Sequence, residues 1–175
     1  MKAAAAFVRA QAFVDPDRVG VMGLSFGGYQ ALLALTKTPQ LFQAGVDLMG
    51  PTDRRPPFAS RNGTFHIGAS PVQDPALYER VSPITSVKDL RAPLLVLHSD
   101  RDRNVPPQHT YNLLDELVRQ NKPFDAQIYP GEAHGLADPA HQLDSYQRIV
   151  AFFDRCLRGG GAGVPSKNRM EEARP

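Results

Sequence analysis

An α/β fold built on four mainly parallel strands is what this sequence predicts, and three observations predict it. Short apolar runs recur at Val19–Met22, Ala44–Met49, Leu94–Leu97 and Ala126–Tyr129. Stretches with helical spacing lie between them, and prolines and glycines, 16 and 14 of the 175 residues, punctuate the alternation. Strands joined through helices require crossover connections, and crossovers make neighbouring strands parallel.

Each element follows from its own residues. Residues 2–13 form an alanine-rich helical stretch stopped by Asp15-Pro16, because proline donates no amide and restricts the residue before it. The run Val19–Met22 leads into Gly23 and a helical stretch from Phe26 to Thr36. Ala44–Met49 ends at Gly50-Pro51, and segment 51–85 is polar and proline-rich, with one short helix near Ala76-Leu77-Tyr78. Leu94–Leu97 is continuously apolar, as expected of a strand covered on both faces. Pro107–Gln120 places Leu113, Leu114, Leu117 and Val118 on one side of a helix. Ala126–Tyr129 is the fourth strand, and residues 139–157 make a last amphipathic helix through Leu143, Tyr146, Ile149, Val150, Phe153 and Leu157. Gly159-Gly160-Gly161 then opens a charged tail with too few apolar residues to pack. The folded unit is therefore read as 2–158 and the disordered tail as 159–175.

Composition narrows the function classes. With 42% hydrophobic residues, the chain matches ordinary globular domains and excludes collagen, coiled coil and wholesale disorder. A net charge of +2 with scattered basic residues gives no nucleic-acid signature. No apolar stretch is long enough to span a membrane. The single cysteine, Cys156, can form neither an internal disulfide nor a cysteine-based zinc site, so the expected location is cytoplasmic. Lys2 followed by Ala3–Val8 loosely imitates a signal peptide, but the apolar run ends at Arg9 and reads better as a helix. The sequon Asn62-Gly63-Thr64 matters only in a secreted protein.

The chemistry begins at Gly23-Leu24-Ser25-Phe26-Gly27-Gly28-Tyr29, a G-x-S-x-G pattern between a predicted strand and a predicted helix. A tight turn there pushes a serine hydroxyl out above the sheet. Gly23 and Gly27 are expected to avoid clashes in it, and the Phe26 amide is placed as an oxyanion donor. A dinucleotide loop needs G-x-G-x-x-G, and a P-loop needs Lys where Tyr29 stands, so both fail.

A serine hydroxyl is a weak nucleophile until a histidine takes its proton and an acid orients that histidine. In α/β hydrolases the acid and then the histidine follow the serine in the chain, each in a loop after a strand. The loop after Leu94–Leu97 offers Asp100 and Asp102, and the loop after Ala126–Tyr129 offers Glu132 and His134. Spacing alone leaves Asp100 and Asp102 both open. A calcium loop fails, since its sixth and twelfth positions would be Val105 and Tyr111. No metal or cofactor is implied. His66, His98, His109 and His141 are read as packing or surface residues.

Three segments resemble the catalytic domain of the prolyl oligopeptidase family of serine peptidases. They are Val14–Tyr29, Pro93–His98 with Asp102-Arg103-Asn104-Val105-Pro106, and Tyr129–Gly135, within a likeness spanning about residues 2–158. The resemblance implies Ser25 as nucleophile, Asp102 as orienting acid and His134 as base. Their separations look closer to the acylaminoacyl- and dipeptidyl-peptidase branches than to prolyl oligopeptidase itself. It also implies that Tyr29, Asn104 and Val105 contact substrate. Ser99 departs from the glycine common in the family, a tolerable change.

The family's catalytic domain is an eight-stranded α/β hydrolase preceded by a β-propeller. Here the first four strands, the segment giving a second oxyanion donor and the propeller have no counterpart, so the expectation is a partial hydrolase fold, the C-terminal half of a catalytic domain. The implied function is hydrolysis of peptide bonds in short peptides through an acyl-enzyme, with a peptide or acyl-peptide as partner. The missing N-terminal half or a homo-oligomer partner is a further candidate. A carboxylesterase using the same triad and an inactive, partner-dependent fragment are the alternatives.

Overall fold

The structure, a computed structural model, describes residues 1–58 and 67–158. His66, the Asn62 sequon and the predicted tail 159–175 lie outside the described residues. Four strands form one sheet: β1 (Gly20–Leu24), β2 (Ala44–Leu48), β3 (Leu94–Ser99) and β4 (Phe124–Tyr129). They run in the order β1-β2-β3-β4, every pair parallel. The register sets Met22 beside Val46 and Val46 beside Leu95. All four carboxyl ends therefore emerge on one side, where open parallel sheets place their ligands.

Helices α1 (Lys2–Arg9), α2 (Phe26–Lys37), α3 (Pro75–Arg80), α4 (Gln108–Arg119) and α5 (Pro139–Phe153) flank the sheet. The side chains of β3 explain the layering. Leu94 and Val96 join a core with Leu32 and Leu35 of α2 and Leu113 and Leu117 of α4. Leu95 and Leu97 point the other way, into a core with Tyr129 and with Ile149 and Phe152 of α5. Successive strand residues face opposite sides, so a strand sandwiched between two helical layers must be apolar throughout. Each fully buried leucine contributes about 1.5–3 kcal/mol.

Several boundaries move. The first helix ends at Arg9 instead of residue 13, because its amides shift to nearer carbonyls: Ala10 N donates to Phe7 O as well as Ala6 O, and Gln11 N to Val8 O. The last α-helix stops at Phe153, and a π-helical turn carries Asp154–Arg158. Strand β3 extends through His98 and Ser99, polar residues that are fully buried. The short predicted helix spans Pro75–Arg80, capped by Asp74, whose carboxylate accepts from Leu77 N at 2.8 Å. A 3₁₀ segment at Pro83–Asp89 was not legible in the apolar pattern. Among the described residues, no helix is long and apolar enough to cross a membrane.

Candidate active site

Strand β1 ends at Leu24 and α2 begins at Phe26, so Ser25 alone makes the turn between them. Its backbone sits at φ 57° and ψ −118°, a sparsely populated region for a residue with a side chain. The surroundings impose this. Ser25 N donates to Leu48 O of β2 at 2.7 Å, and Ser25 O accepts from Tyr29 N at 3.0 Å.

The glycines divide the steric work differently from expectation. A Cβ on Gly23 would lie 2.3 Å from the Gly27 carbonyl carbon, so β1 and α2 approach too closely for any side chain there. One on Gly28 would lie 2.2 Å from Asp47 Oδ1. A Cβ on Gly27 meets nothing within 4 Å, which corrects the expectation that Gly27 is there to avoid a clash of its own. Gly27 is the surface that Gly23 must approach.

Asp102 follows β3, and His134 follows β4. Asp102 Oδ1 accepts from the amides of Asn104 at 2.8 Å and Val105 at 2.9 Å. Its Oδ2 lies 2.6 Å from His134 Nδ1, and His134 Nε2 lies 2.8 Å from Ser25 Oγ. Three strand ends thus bring Ser25, His134 and Asp102 into one continuous hydrogen-bonded chain. The Asp102 carboxylate fixes the proton at Nδ1, which leaves Nε2 as the acceptor of the serine proton. Asp100, the other acid in this loop, accepts instead from Gly131 N at 2.7 Å.

Behind this chain lies a buried support. His98 Nε2 donates to Val105 O at 3.0 Å, and its Nδ1 accepts from Thr110 Oγ1 at 2.7 Å. Burial pushes its pKa below the ordinary value, which keeps the ring neutral. Its reading as a packing residue fits these contacts, and it packs directly behind Asp102, with Nε2 3.5 Å from Asp102 Oδ2.

The His134 loop is held by Glu132, whose carboxylate accepts from Ala137 N, Asp138 N and His141 Nδ1 at 2.8, 3.0 and 2.8 Å. Glu132 O accepts from Arg101 N at 3.0 Å, tying the His134 loop to the Asp102 loop. These hydrogen bonds hold the carboxyl below its ordinary pKa. Neither Glu132 nor His98 stands out as supporting the site in sequence. The one available signal was their position, beside His134 and at the end of a continuously apolar strand.

The three residues expected at substrate are placed variously. Asn104 is exposed and Val105 is buried, both beside Asp102. Tyr29 is buried, its hydroxyl donating to Val81 O at 2.9 Å and its ring 5.2 Å from that of Phe26. On β2, Asp47 is buried; Oδ1 accepts from Gly50 N at 3.0 Å, and Oδ2 has no hydrogen-bond partner among the described residues. Burial pushes its pKa up to about 7. Among the described residues, no group of three or more His, Cys, Asp or Glu side chains is placed to hold a metal ion.

Known proteins share both the sequence and this arrangement of strands. The profile of the prolyl oligopeptidase family matches residues 1–160. Dipeptidyl aminopeptidase BIII of Pseudoxanthomonas mexicana is 30% identical over 162 residues, which is 85% of this chain and 23% of that protein. The crystal structure of Porphyromonas gingivalis dipeptidyl peptidase 4 superposes with a TM-score of 0.82 at 29% identity, covering 89% of this chain and 22% of that one. Pyrococcus horikoshii acylaminoacyl peptidase superposes with a TM-score of 0.80 at 29% identity, covering 91% and 27%. The chain spans no more than 27% of any of the three. Its parallel sheet and flanking helices are a partial α/β-hydrolase fold. By the family match over nearly its whole length, the chain belongs to the prolyl oligopeptidase family of serine peptidases.

Proposed function

We propose that this chain carries the catalytic serine, acid and base of a peptidase acting on short peptides, with Ser25 as nucleophile, His134 as base and Asp102 as orienting acid. The observation that supports this best is the unbroken hydrogen-bond chain from Ser25 Oγ through His134 to the buried Asp102 carboxylate. Ser25 Oγ attacks the substrate carbonyl carbon while His134 Nε2 takes its proton. The Asp102 carboxylate stabilises the imidazolium that forms. The developing oxyanion is met by the Phe26 amide at the start of α2, where the helix dipole favours negative charge. His134 then delivers the proton to the leaving amine. Water, deprotonated by His134, attacks the acyl-enzyme, and His134 returns that proton to Ser25 Oγ as the acyl C–O bond breaks and the acid product leaves.

Asn104, Val105 and Tyr29 belong to the substrate side of this reading, and its expected setting is cytoplasmic. A carboxylesterase would use the same three groups on an ester. A partner-dependent site is favoured by one specific observation: β1 carries Ser25 on its end yet, among the described residues, pairs only with β2, and Met22 and Leu24 are half exposed. Hydrolysis of a short peptide anilide and its matched ester distinguishes these readings. The peptidase reading expects turnover of the anilide that disappears in Ser25→Ala. Turnover of the ester alone would replace it with the esterase.

A further inference from the structure

Two adjacent arginines follow β2, and the structure treats them in opposite ways. Arg55 is neutralised: Nε and Nη2 meet the Asp53 carboxylate at 2.9 and 2.8 Å, and Nη1 meets Glu79 at 3.0 Å. Arg54 has no carboxylate partner among the described residues. Its guanidinium instead lies over the Tyr29 ring, 5.6 Å from the centroid. Tyr29 in turn lies against Phe26, the residue after Ser25.

The backbone around Arg54 is fixed on two sides. Arg54 N donates to Ser82 Oγ at 2.8 Å. The preceding residues are tied to the start of α4, with Thr52 Oγ1 donating to His109 O at 2.8 Å and Asp53 N to His109 Nδ1 at 3.4 Å. That segment continues directly from Val105, which helps hold Asp102. Burial pushes the His109 pKa down to about 4, so His109 adds no competing cation. Half-buried Arg54 therefore lies against Tyr29, whose ring meets that of Phe26 beside Ser25, while the backbone before it is tied through His109 to the helix that follows the Asp102 loop. A cation–π contact with the ring face holds the guanidinium beside Tyr29 without using its N–H groups, which suit a planar carboxylate.

We propose that Arg54 is a specificity-determining residue that selects a carboxylate side chain on the substrate residue whose carbonyl Ser25 attacks. It is joined to the site on the Phe26 side, whereas the leaving amine departs on the His134 side. The assignment rests on Ser25 being the nucleophile, so the test reads binding and turnover separately.

Calorimetric binding to the full chain carrying Ser25→Ala, with the tripeptide amides Ala-Glu-Ala and Ala-Gln-Ala, free and N-acetylated, measures the subsite without chemistry. The glutamate peptide is expected to bind about three- to tenfold more tightly at low salt. The preference is expected to shrink in about 0.5 M salt, to vanish when Arg54→Gln is added, and to persist in part with Arg54→Lys. Equal affinities, no binding of either peptide, or a preference that survives Arg54→Gln would overturn the proposal. Coumarin amides of the same acyl groups report turnover by the unmodified chain. A glutamate preference in binding without turnover defeats the hydrolase reading alone, and turnover without a glutamate preference defeats this assignment alone.

Discussion

At the ends of β3 and β4 the polar side chains are satisfied by hydrogen bonds, whereas at the ends of β1 and β2 close packing holds a strained backbone. Asp102 and Glu132 each have acceptors filled by backbone amides and a histidine. Across the sheet, Ser25 and Met49 both sit at positive φ, Gly23 and Gly28 admit no side chain, and Asp47 has an orphaned oxygen. Under the proposed function, the difference follows from what each region must do. A base and its acid need fixed charges and tautomers, which hydrogen bonds supply. A nucleophile needs exposure at a sharp turn, which requires a strand and helix in near contact. The two regions should fail in different ways, by electrostatics on one side and by sterics on the other.

The largest effect is expected on the hydrogen-bonded side. Asp102→Asn keeps the shape but disturbs the tautomer of His134, and should lower the rate of Ser25 acylation by about 10³- to 10⁴-fold. Asp100→Asn keeps an oxygen that can accept from Gly131 N, loses only the charge, and should change that rate by no more than about threefold. Comparable losses in both variants would break the distinction between the two acids.

The packed side predicts a stability effect that depends on which glycine is changed. Gly23→Ala drives a methyl into the Gly27 backbone and should destabilise the fold by about 1–3 kcal/mol or more in denaturant melts. Gly27→Ala enters open space and should stay within about 0.5 kcal/mol of the parent. Equal costs at the two positions would mean that packing does not set the turn.

An effect of a different kind, spread over pH, is expected from Asp47. Its folded pKa of about 7 stands above the ordinary 3.8. The folded state is thus favoured fully below the ordinary value, and that contribution is lost as pH rises to about 7, a span worth on the order of a few kcal/mol. Asp47→Asn should remove this decline, so the variant gains on the parent between the two pH values. His109 acts in the opposite sense: its pKa is depressed to about 4, so its contribution is lost as pH falls from the ordinary 6.5. Parallel stability curves for the parent and Asp47→Asn would contradict the raised pKa.

Much of the fold was legible because its signals are local. Leu94–Leu97 reads as a doubly covered strand in any context, and G-x-S-x-G between a strand and a helix allows few geometries. The partners of Asp102 and Asp100 were not legible, because loop residues two apart have no periodicity to say where each points. Glu132 draws its three donors from residues 137–141, in a loop whose path the sequence does not specify. Arg54 and Arg55 are identical letters side by side, and the position of Asp53 and Glu79 around one of them separates their fates. Gly27 resembled Gly23 in the motif, and only the direction of each absent Cβ tells them apart.

The central claim is that Ser25 is a nucleophile activated through His134 and Asp102. Labelling of the folded 175-residue chain with a fluorophosphonate probe, followed by peptide mapping, tests it most directly. The account predicts a single adduct on Ser25, absent in Ser25→Ala and strongly slowed in Asp102→Asn. A folded chain that takes up no probe, or one labelled at another serine, would contradict it.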